Sequence, residues 1–490
     1  MTETAPRDAD DPQLRGAAFF DLDRTLLAGA SGPVISEALR HVGLLSGATG
    51  ALENLAFGIF NVIGETWPSM LLTRQGARAA RGWPVDLVRK AADRAAEPLA
   101  DAVLPYARQL IEDHRGEHRA LVLATTTPYD LVRPLAERLG FDDLVATRFG
   151  IRAGHYDGTI DGEFVWGKGK ARAVRAWARR HRVDLGQSFA YSDSYYDVPL
   201  LSSVGHPTAV NPDPRLLGVA ALRRWPVVHF DVPAGVPKFA GLEPQRVLLL
   251  LAQPQLFPWV RFRIEGAEKI PERGPAVLVA NHRSYFDPLA IVFLLARRGR
   301  PVRFLGKKEV FDAPVVGELV NALGGIRVDR GTGSDEPLRA AQDALAAGEL
   351  VAIMPQGTIP RGPAFFDPEL RGRWGAAKLA TAAGVPVIPI GLWGTEQVWP
   401  RSSRLPDITN VLNPPTVTVR VGDPVEMKGR SVDADTKRMM KAISALLPPE
   451  ARRKRTPTRE ELARTYPGGV IPEDLDAAAA HEGSRRPGTD

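Results

Sequence analysis

The sequence predicts an α/β protein built from two successive α/β domains, and three observations support this prediction. The chain has 490 residues, which is too long for one compact core. Short apolar runs recur along it, and each is followed by a polar turn and a helical pattern, as in βαβ units. A stretch rich in Pro and Gly, Asp231–Pro237, interrupts this alternation near the middle of the chain.

The domain limits follow from these composition changes. We place the first domain at residues 16–232, a linker at residues 233–243 and the second domain at residues 244–450. Residues 1–15 are polar and largely acidic, and we expect them to be disordered. Residues 451–490 are rich in Arg, Pro and Ala, and we expect a mobile tail there.

Composition excludes several classes of protein. The chain has no cysteine, which excludes disulfides, thiolate metal sites and a Cys nucleophile. The N-terminal residues lack the apolar segment of a secretion signal, and no run approaches the roughly 20 apolar residues of a membrane-spanning helix. The net charge of +6 is spread along the chain, without a helix-turn-helix, an aromatic platform or a zinc motif. We therefore expect a cytoplasmic protein with peripheral membrane contact at most, and no nucleic-acid partner.

Polar groups follow the predicted strands of the first domain. Asp21 and Asp23 come directly after the apolar run Ala17–Phe20. Groups at the carboxyl ends of parallel strands converge on one crevice, where carboxylates repel one another unless a cation such as Mg²⁺ binds between them. Threonine hydroxyls and lysines at the same edge can hold a phosphoryl group. The other members of this group are Thr125 after Ala120–Ala124, Asp193 and Asp197 after Ser188–Ser192, and Lys168 and Lys170 at a helix start.

This group of residues resembles the haloacid dehalogenase superfamily of phosphatases, in the branch that includes phosphoserine phosphatases, over about residues 16–230. The resemblance implies a Rossmann-like domain, a helical cap in the Ala- and Leu-rich segment 32–115, and hydrolysis of a phosphomonoester through an aspartyl-phosphate. The roles it implies are Asp21 as nucleophile, Asp23 as general acid and base, Thr125 and Lys170 (with Lys168 as the alternative) as phosphate ligands, and Asp21, Asp23, Asp193 and Asp197 around Mg²⁺.

Two positions depart from this family pattern. Ser192 stands where the family usually has Gly. Ala30 stands where phosphoserine phosphatases carry a Glu that recognises the amino acid. We therefore expect a substrate other than phosphoserine.

A second group of residues lies in the second domain. His282 follows the apolar run Ala276–Ala280, and Asp287 comes five residues later. An Asp at this spacing can fix the imidazole tautomer and leave the other ring nitrogen to take a proton from a hydroxyl. No Ser or Cys nucleophile signature lies nearby, so direct attack by a substrate hydroxyl on a thioester fits best. Downstream come Arg330, which offers a cation to a phosphate, and Gln356, Gly357 and Thr358 after another predicted strand, Leu350–Met354.

This order resembles the 1-acylglycerol-3-phosphate acyltransferase family over about residues 240–450. The resemblance implies acyl transfer from acyl-CoA or acyl carrier protein to a lysophospholipid hydroxyl. It implies that His282 is the base, Asp287 orients it, Arg330 anchors a phosphate, and Gln356, Gly357 and Thr358 form part of the acceptor site. Where the family reads Glu-Gly-Thr-Arg, this chain reads Gln356-Gly357-Thr358-Ile359, and we expect Arg361 to replace the missing cation.

The sequence thus predicts a bifunctional enzyme of phospholipid biosynthesis, an O-acyltransferase joined to an Mg²⁺-dependent phosphomonoester hydrolase. The apolar segment Val247–Val260, which ends in aromatic residues and precedes Arg261 and Arg263, favours peripheral contact with the inner face of the cell membrane. The alternative is an acyltransferase whose phosphatase-like domain binds a phosphorylated ligand and regulates the enzyme. The intact pair Asp21 and Asp23 favours catalysis, because binding alone does not need a general acid.

Overall fold

The structure is a computed structural model, and it describes residues 16–45, 76–233, 236–238, 242–312, 316–328 and 336–473. The chain divides into two compact units, Met1–Ala234 and Gly235–Asp490, and each is considered by itself below. The predicted disordered segment 1–15, part of the predicted cap (46–75) and Arg330 lie outside the described residues.

The first unit alternates strands and helices, as the apolar runs predict. Its strands are β1 (Ala17–Phe20), β2 (Ala120–Thr125), β3 (Asp143–Ala146), β4 (Arg148–Arg152), β5 (His155–Asp161), β6 (Phe189–Ser192), β7 (His206–Val210) and β8 (Val227–Val228). Its helices are α1 (Gly32–His41), α2 (Val85–Asp101), α3 (Pro105–Gly116), α4 (Tyr129–Arg138), α5 (Lys168–His181), α6 (Val198–Leu201) and α7 (Pro214–Arg223).

The main sheet of this unit is parallel, with strand order β3-β2-β1-β6-β7-β8. Every residue of β1 and β2 is buried, which is expected of parallel strands covered by helices on both faces. The order changes direction at β1, where the chain moves from β2 on one side to β6 on the other. Ligands of open α/β sheets bind at the carboxyl edge of such a switch point.

The predicted helical segment 32–115 contains α1, α2 and α3 in its described part. Helix α2 packs against α1 and α4, and it buries apolar side chains such as Ala91, Ala95 and Leu99. Helix α3 differs from this cap-like group because it packs against the sheet strand β2, and its buried His114 lies 2.8 Å from the Tyr191 hydroxyl. Helix α3, at the end of the predicted cap segment, therefore belongs to the helices that cover the sheet.

The second unit repeats the alternation with a different topology. Its strands are β9 (Arg261–Glu265), β10 (Ala276–Ala280), β11 (Val302–Lys307), β12 (Ile326–Val328), β13 (Leu350–Ile353), β14 (Val387–Trp393) and β15 (Thr416–Val421). Its helices are α8 (Pro244–Leu251), α9 (Asp287–Ala296), α10 (Lys308–Phe311), α11 (Val316–Ala322), α12 (Glu336–Ala346), α13 (Gly375–Ala383), α14 (Thr395–Val398), α15 (Val432–Leu446) and α16 (Arg459–Arg464).

The sheet of the second unit has the order β12-β11-β13-β10-β14-β15-β9. Its pairs are parallel except β14 and β15, which run antiparallel. The central strand β10 is buried along its whole length, and the apolar helix α9 that follows it buries most of its residues. This arrangement places the residues that follow β10 at the carboxyl edge, between β13 and β14.

The described part of the predicted mobile tail, residues 451–473 of 451–490, contains a capped helix and buried side chains. Helix α16 begins with a capping box between Thr458 and Glu461, in which each residue bonds to the other's backbone N–H. Thr465 and Tyr466, directly after this helix, are buried against the second unit. The polar composition of this segment gives no sign that these two side chains are buried.

Candidate functional site

The carboxyl edge of the first sheet gathers the residues that the sequence singles out. Asp21 follows β1, Thr125 ends β2 and Asp193 follows β6, and these three strands are neighbours in the sheet. All three side chains are almost fully buried. The strand order, which the sequence could not supply, is the reason that residues more than 100 positions apart meet there.

The chain leaves strand geometry directly after Asp21, in one wide turn over Leu22–Leu26 whose middle residues Asp23 and Arg24 have non-helical backbone angles. The turn closes where the backbone N–H of Leu27 donates to the carbonyl oxygen of Leu22 over 3.0 Å, and Arg24 takes a left-handed conformation (φ 60°). The carboxylate of Asp23 accepts hydrogen bonds from the backbone N–H of Ser31 and from the Thr127 hydroxyl. The turn therefore gives Asp21 and Asp23 different partners, although only one residue separates them.

Lys170 is the central cation of this site. Its Nζ lies 2.6 Å from Oδ1 of Asp21 and 2.6 Å from Oδ2 of Asp197, and its side chain is 1% exposed. Ser192 adds a hydroxyl that donates to the same Asp197 oxygen over 2.7 Å, so the Ser at this family Gly position supports the site. Lys168 is exposed, so the structure brings Lys170 rather than Lys168 to the aspartates.

Sequence reasoning missed the part played by Thr25. Its buried hydroxyl lies 3.3 Å from Oδ2 of Asp21 and 3.2 Å from Oδ1 of Asp193, and it accepts a hydrogen bond from the backbone N–H of Asp193. One hydroxyl has a single proton, so it can donate to only one of these carboxylates at a time. Thr25 thus joins the loops after β1 and β6. Its place in the run Asp21–Thr25, directly after the first strand, was the available signal.

Burial changes the acidity of both N-terminal aspartates. Loss of solvent raises the pKa of Asp21 to about 7, while the adjacent Lys170 ammonium acts in the opposite direction. Burial also raises the pKa of Asp23 above its ordinary value, although the hydrogen bonds from Ser31 and Thr127 counteract the shift. A carboxyl group with a raised pKa holds its proton more readily, which suits a general acid.

The residues at this edge fit a divalent cation with carboxylate ligands only in part. Asp21 and Asp193 lie around the Thr25 hydroxyl and can offer oxygen ligands, which Mg²⁺ prefers. Asp21 and Asp193 also pair with Lys170 and Arg24, respectively. The carboxylate of Asp23 is engaged by Ser31 and Thr127, and that of Asp197 by Lys170 and Ser192. Within the described ranges, no three His, Asp or Glu side chains group closely enough to hold a metal by themselves. A backbone carbonyl, as the resemblance implies for Asp23, would have to contribute.

The second site lies at the carboxyl edge of β10. The amide of Asn281 bonds to the backbone of Leu392 in β14 in both directions, which fixes the chain just before His282. His282 Nδ1 lies 2.7 Å from Oδ2 of Asp287, and a carboxylate there requires that Nδ1 carry the proton. Asp287 is fully buried at the first turn of α9, and the same oxygen accepts from the backbone N–H of Arg283 and Ser284.

The loop after β13 borders His282. The side-chain oxygen of Gln356 accepts a hydrogen bond from the backbone N–H of His282 over 2.7 Å, an interaction that needs an acceptor but no negative charge. Gly357 has φ 69°, which favours glycine, and Thr358 is half-buried beside it. The side chain of Ile359 is 2% exposed, which accounts for an apolar residue in place of Arg, whereas Arg361 lies at the surface.

Arg283 is a further residue of this site that sequence reasoning missed. Its guanidinium lies 4.2 Å from the ring centre of Phe365 and 4.3 Å from that of Trp393, and it donates to Glu396 over 2.9 Å. Stacking between two rings and pairing with a carboxylate fix the residue directly after His282. Phe365, the nearest of these partners in sequence, comes 82 residues after Arg283, so no local sequence pattern could reveal the role of Arg283.

Comparison with known proteins agrees with this geometry. Residues 18–202 match the haloacid dehalogenase-like hydrolase family. The chain is 35% identical over 247 residues to the inhibition of morphological differentiation protein of Streptomyces azureus, covering 49% of this chain and 88% of that protein. It is 36% identical over 239 residues to the phosphoserine phosphatase SerB1 of Mycobacterium tuberculosis, covering 47% of this chain and 77% of that protein. The chain belongs to the haloacid dehalogenase-like hydrolase family.

A second match covers another part of the chain. Residues 261–393 match the acyltransferase family. The chain is 27% identical over 248 residues to the chloroplastic 1-acyl-sn-glycerol-3-phosphate acyltransferase LPAT1 of Arabidopsis thaliana, covering 46% of this chain and 65% of that protein. This hydrolase family member therefore also carries an acyltransferase domain. Both predicted resemblances and the predicted fold class are confirmed, and the matches support hydrolase and acyltransferase activities in one chain.

The arrangement around Lys170 predicts a difference between the two neighbouring lysines. We expect Lys170→Met to lower phosphate release from p-nitrophenyl phosphate by at least about 100-fold, because Asp21 and Asp197 lose their shared cation. Lys168→Met is the matched control, and we expect its rate to stay within about twofold of wild type because this side chain is exposed. Thermal unfolding of both variants checks that the fold is kept. Equal rates for the two variants would contradict this assignment.

Proposed function

We propose that this chain is a bifunctional enzyme of phospholipid biosynthesis. In the proposal, the second unit transfers an acyl group from acyl-CoA or acyl carrier protein to 1-acylglycerol-3-phosphate or a related lysophospholipid. The first unit hydrolyses a phosphomonoester. The observation that carries the proposal is that each unit gathers its own reactive groups at the carboxyl edge of its sheet, Lys170 with Asp21 in one and His282 with Asp287 in the other.

The His282–Asp287 pair supports direct acyl transfer. With Nδ1 directed at Asp287, Nε2 of His282 is the nitrogen that takes the proton from the acceptor hydroxyl. The oxygen then attacks the thioester carbonyl, the new C–O bond forms, the C–S bond breaks, and the imidazolium returns the proton to the leaving thiolate. Asp287 stabilises the imidazolium, and the positive end of α9 faces the same carboxylate.

The first unit supports phosphoryl transfer to a carboxylate. Asp21 attacks phosphorus, and Asp23 protonates the departing ester oxygen; Asp23 then accepts a proton from the water that hydrolyses the aspartyl-phosphate. Lys170 and Thr125 orient the phosphoryl oxygens. Mg²⁺, held by Asp21 and Asp193 with a backbone carbonyl, would supply charge neutralisation for the transferring group. The proposed roles of Asp197 and Ser192 are to position Lys170.

Exposed apolar side chains support peripheral membrane contact of the second unit. Val247, Leu250, Leu251 and Leu256 are exposed in and after α8, and Arg261 and Arg263 follow them at the surface. Exposed apolar residues followed in sequence by exposed basic residues suit the interface of an anionic membrane, such as the inner face of the cell membrane. The aromatic residues Phe257 and Trp259 of this segment are partly buried and pack against the core. In the described part of the chain, no helix is long and apolar enough to span a membrane.

Acyl transfer is tested with radiolabelled acyl-CoA or acyl carrier protein and lysophosphatidate as acceptor. We expect wild-type protein to form phosphatidate, and Asp287→Asn to lower kcat by about 10²- to 10⁴-fold, because the amide no longer stabilises the imidazolium. Asp423→Asn is the control, since Asp423 is an exposed carboxylate of the same unit. A wild-type protein that acylates no lysophospholipid with either donor would refute this half of the proposal.

Phosphate release is tested on a panel that includes phosphoserine and lipid phosphates. We expect EDTA to lower the rate by at least about 100-fold and added Mg²⁺ to restore it, because the transferring phosphoryl group then loses the divalent cation that neutralises part of its charge. Phosphoserine should be a poor substrate, since Ala30 has no carboxylate for its ammonium group. If no ester releases phosphate with Mg²⁺ present, the first unit is a binding module rather than a second enzyme.

A further inference from the structure

The loop Gln356–Phe366, called the acceptor loop below, is held at both ends. At its start Gln356 bonds to the backbone of His282. Near its middle, the guanidinium of Arg401 donates to the carbonyl oxygen of Ile359 over 2.6 Å. Its end, Gly362–Phe366, is a short helical segment in which Phe365 stacks against Arg283. The position of the acceptor loop therefore determines the surroundings of His282 on this side of the site.

The C-terminal segment Thr458–Tyr466, called the clamp, contacts this loop at Gly362. The backbone N–H of Gly362, which is buried, donates to the Thr465 hydroxyl over 2.8 Å. That hydroxyl in turn donates to the carbonyl oxygen of Leu462 over 2.7 Å, so its lone pairs are directed at Gly362. An unsatisfied buried N–H is costly, so the loop depends on this threonine.

Tyr466 makes the contact specific for glycine. Its side chain is buried, and a Cβ atom on Gly362 would lie only 2.3 Å from the Tyr466 hydroxyl oxygen. Gly362 also has φ 55°, where residues with side chains are strained. The clamp and the loop thus fit each other closely at one residue, next to Arg361.

The clamp also contacts the other wall of the site. The carbonyl oxygen of Arg464 accepts from the backbone N–H of Ser402 over 3.3 Å, and the Arg464 guanidinium donates to the carbonyl oxygen of Glu396 over 3.4 Å. Glu396 is the partner of Arg283, directly after His282. One short segment therefore joins the acceptor loop to the chain that follows β14, and both border His282.

We propose that the clamp positions the acceptor loop for acyl transfer, with Thr465 and Tyr466 as positioning residues that set the affinity for the phosphate-bearing acceptor. The clamp fixes Gly362 and therefore the adjacent Arg361, the cation expected to meet the acceptor phosphate. The acyltransferase family match ends at residue 393, so the clamp lies outside it. The inference rests on the proposed acyl transfer.

Thr465→Val tests the proposal, because valine keeps the shape and removes only the hydroxyl. We expect the KM for lysophosphatidate to rise about tenfold, from the loss of one buried hydrogen bond, while the KM for acyl-CoA stays within about twofold. Thr465→Ser, which keeps the hydroxyl, should restore the wild-type KM. Thr436→Val is the matched control, since the Thr436 hydroxyl bonds only within α15 of the same unit. An unchanged acceptor KM, or an equal rise for donor and acceptor, would overturn the proposal.

Amide hydrogen exchange over residues 356–366 separates this inference from the proposed reaction. In Thr465→Val we expect faster exchange in the acceptor loop, wild-type exchange in Thr465→Ser and in Thr436→Val, and the same thermal unfolding midpoint within a few degrees. If wild type does not acylate lysophosphatidate, the acceptor assigned above is wrong, and loop exchange still decides whether the clamp holds the loop. Unchanged exchange in Thr465→Val means that it does not.

Discussion

Both sites depend on charged groups that are buried at the carboxyl edge of a parallel sheet and must find partners there. In the first unit, Lys170 satisfies Asp21 and Asp197 together while almost completely removed from solvent. In the second, Asp287 is fully buried and holds His282 and two backbone N–H groups with one oxygen. Removing one member of such a group leaves an uncompensated charge, which is strongly destabilising. The same contacts that keep the edge folded therefore orient the reactive groups.

The chemistry at each sheet edge depends on which neighbouring groups contact each reactive side chain. Asp21 faces a cation and Asp23 faces a backbone N–H and a hydroxyl, so two similar carboxylates acquire different roles from their surroundings. In the second unit the two nitrogens of the His282 imidazole have different roles, because Nδ1 is hydrogen-bonded to Asp287. Gln356 accepts a hydrogen bond from the backbone N–H of His282, so the residue before Gly357 can hold His282 without a carboxylate.

Much of the fold and of both sites could be predicted from the sequence. The apolar runs that end at Phe20, Ala124 and Ala280 are strands, and Asp21, Asp23 and His282 follow them as expected. The choice between Lys168 and Lys170 could not be made, because it depends on which side of α5 faces the sheet. The hairpin of β4 and β5 was missed, since its strands are rich in polar residues and only Gly154 marks the turn in the sequence.

Other features depend on contacts between distant parts of the chain. Thr25 reaches Asp193, and Arg283 meets Phe365 and Glu396, only because the strand order brings their loops together. Composition also misled at the C-terminus, where an Arg-rich segment contains two buried side chains, Thr465 and Tyr466. A few anchoring residues outweigh an otherwise polar composition when they pack against the main domain and, as Thr465 does for Gly362, satisfy a buried backbone group.

The central claim is that one chain carries two separate reactions, and it is tested by measuring both activities on two single variants. Acyl transfer to lysophosphatidate and Mg²⁺-dependent phosphate release are followed in the same preparations of wild type, Asp21→Asn and His282→Ala. The account predicts that Asp21→Asn abolishes only phosphate release and that His282→Ala abolishes only acyl transfer. If either substitution abolishes both activities while the protein stays folded, the two reactions are not separate and the account is wrong.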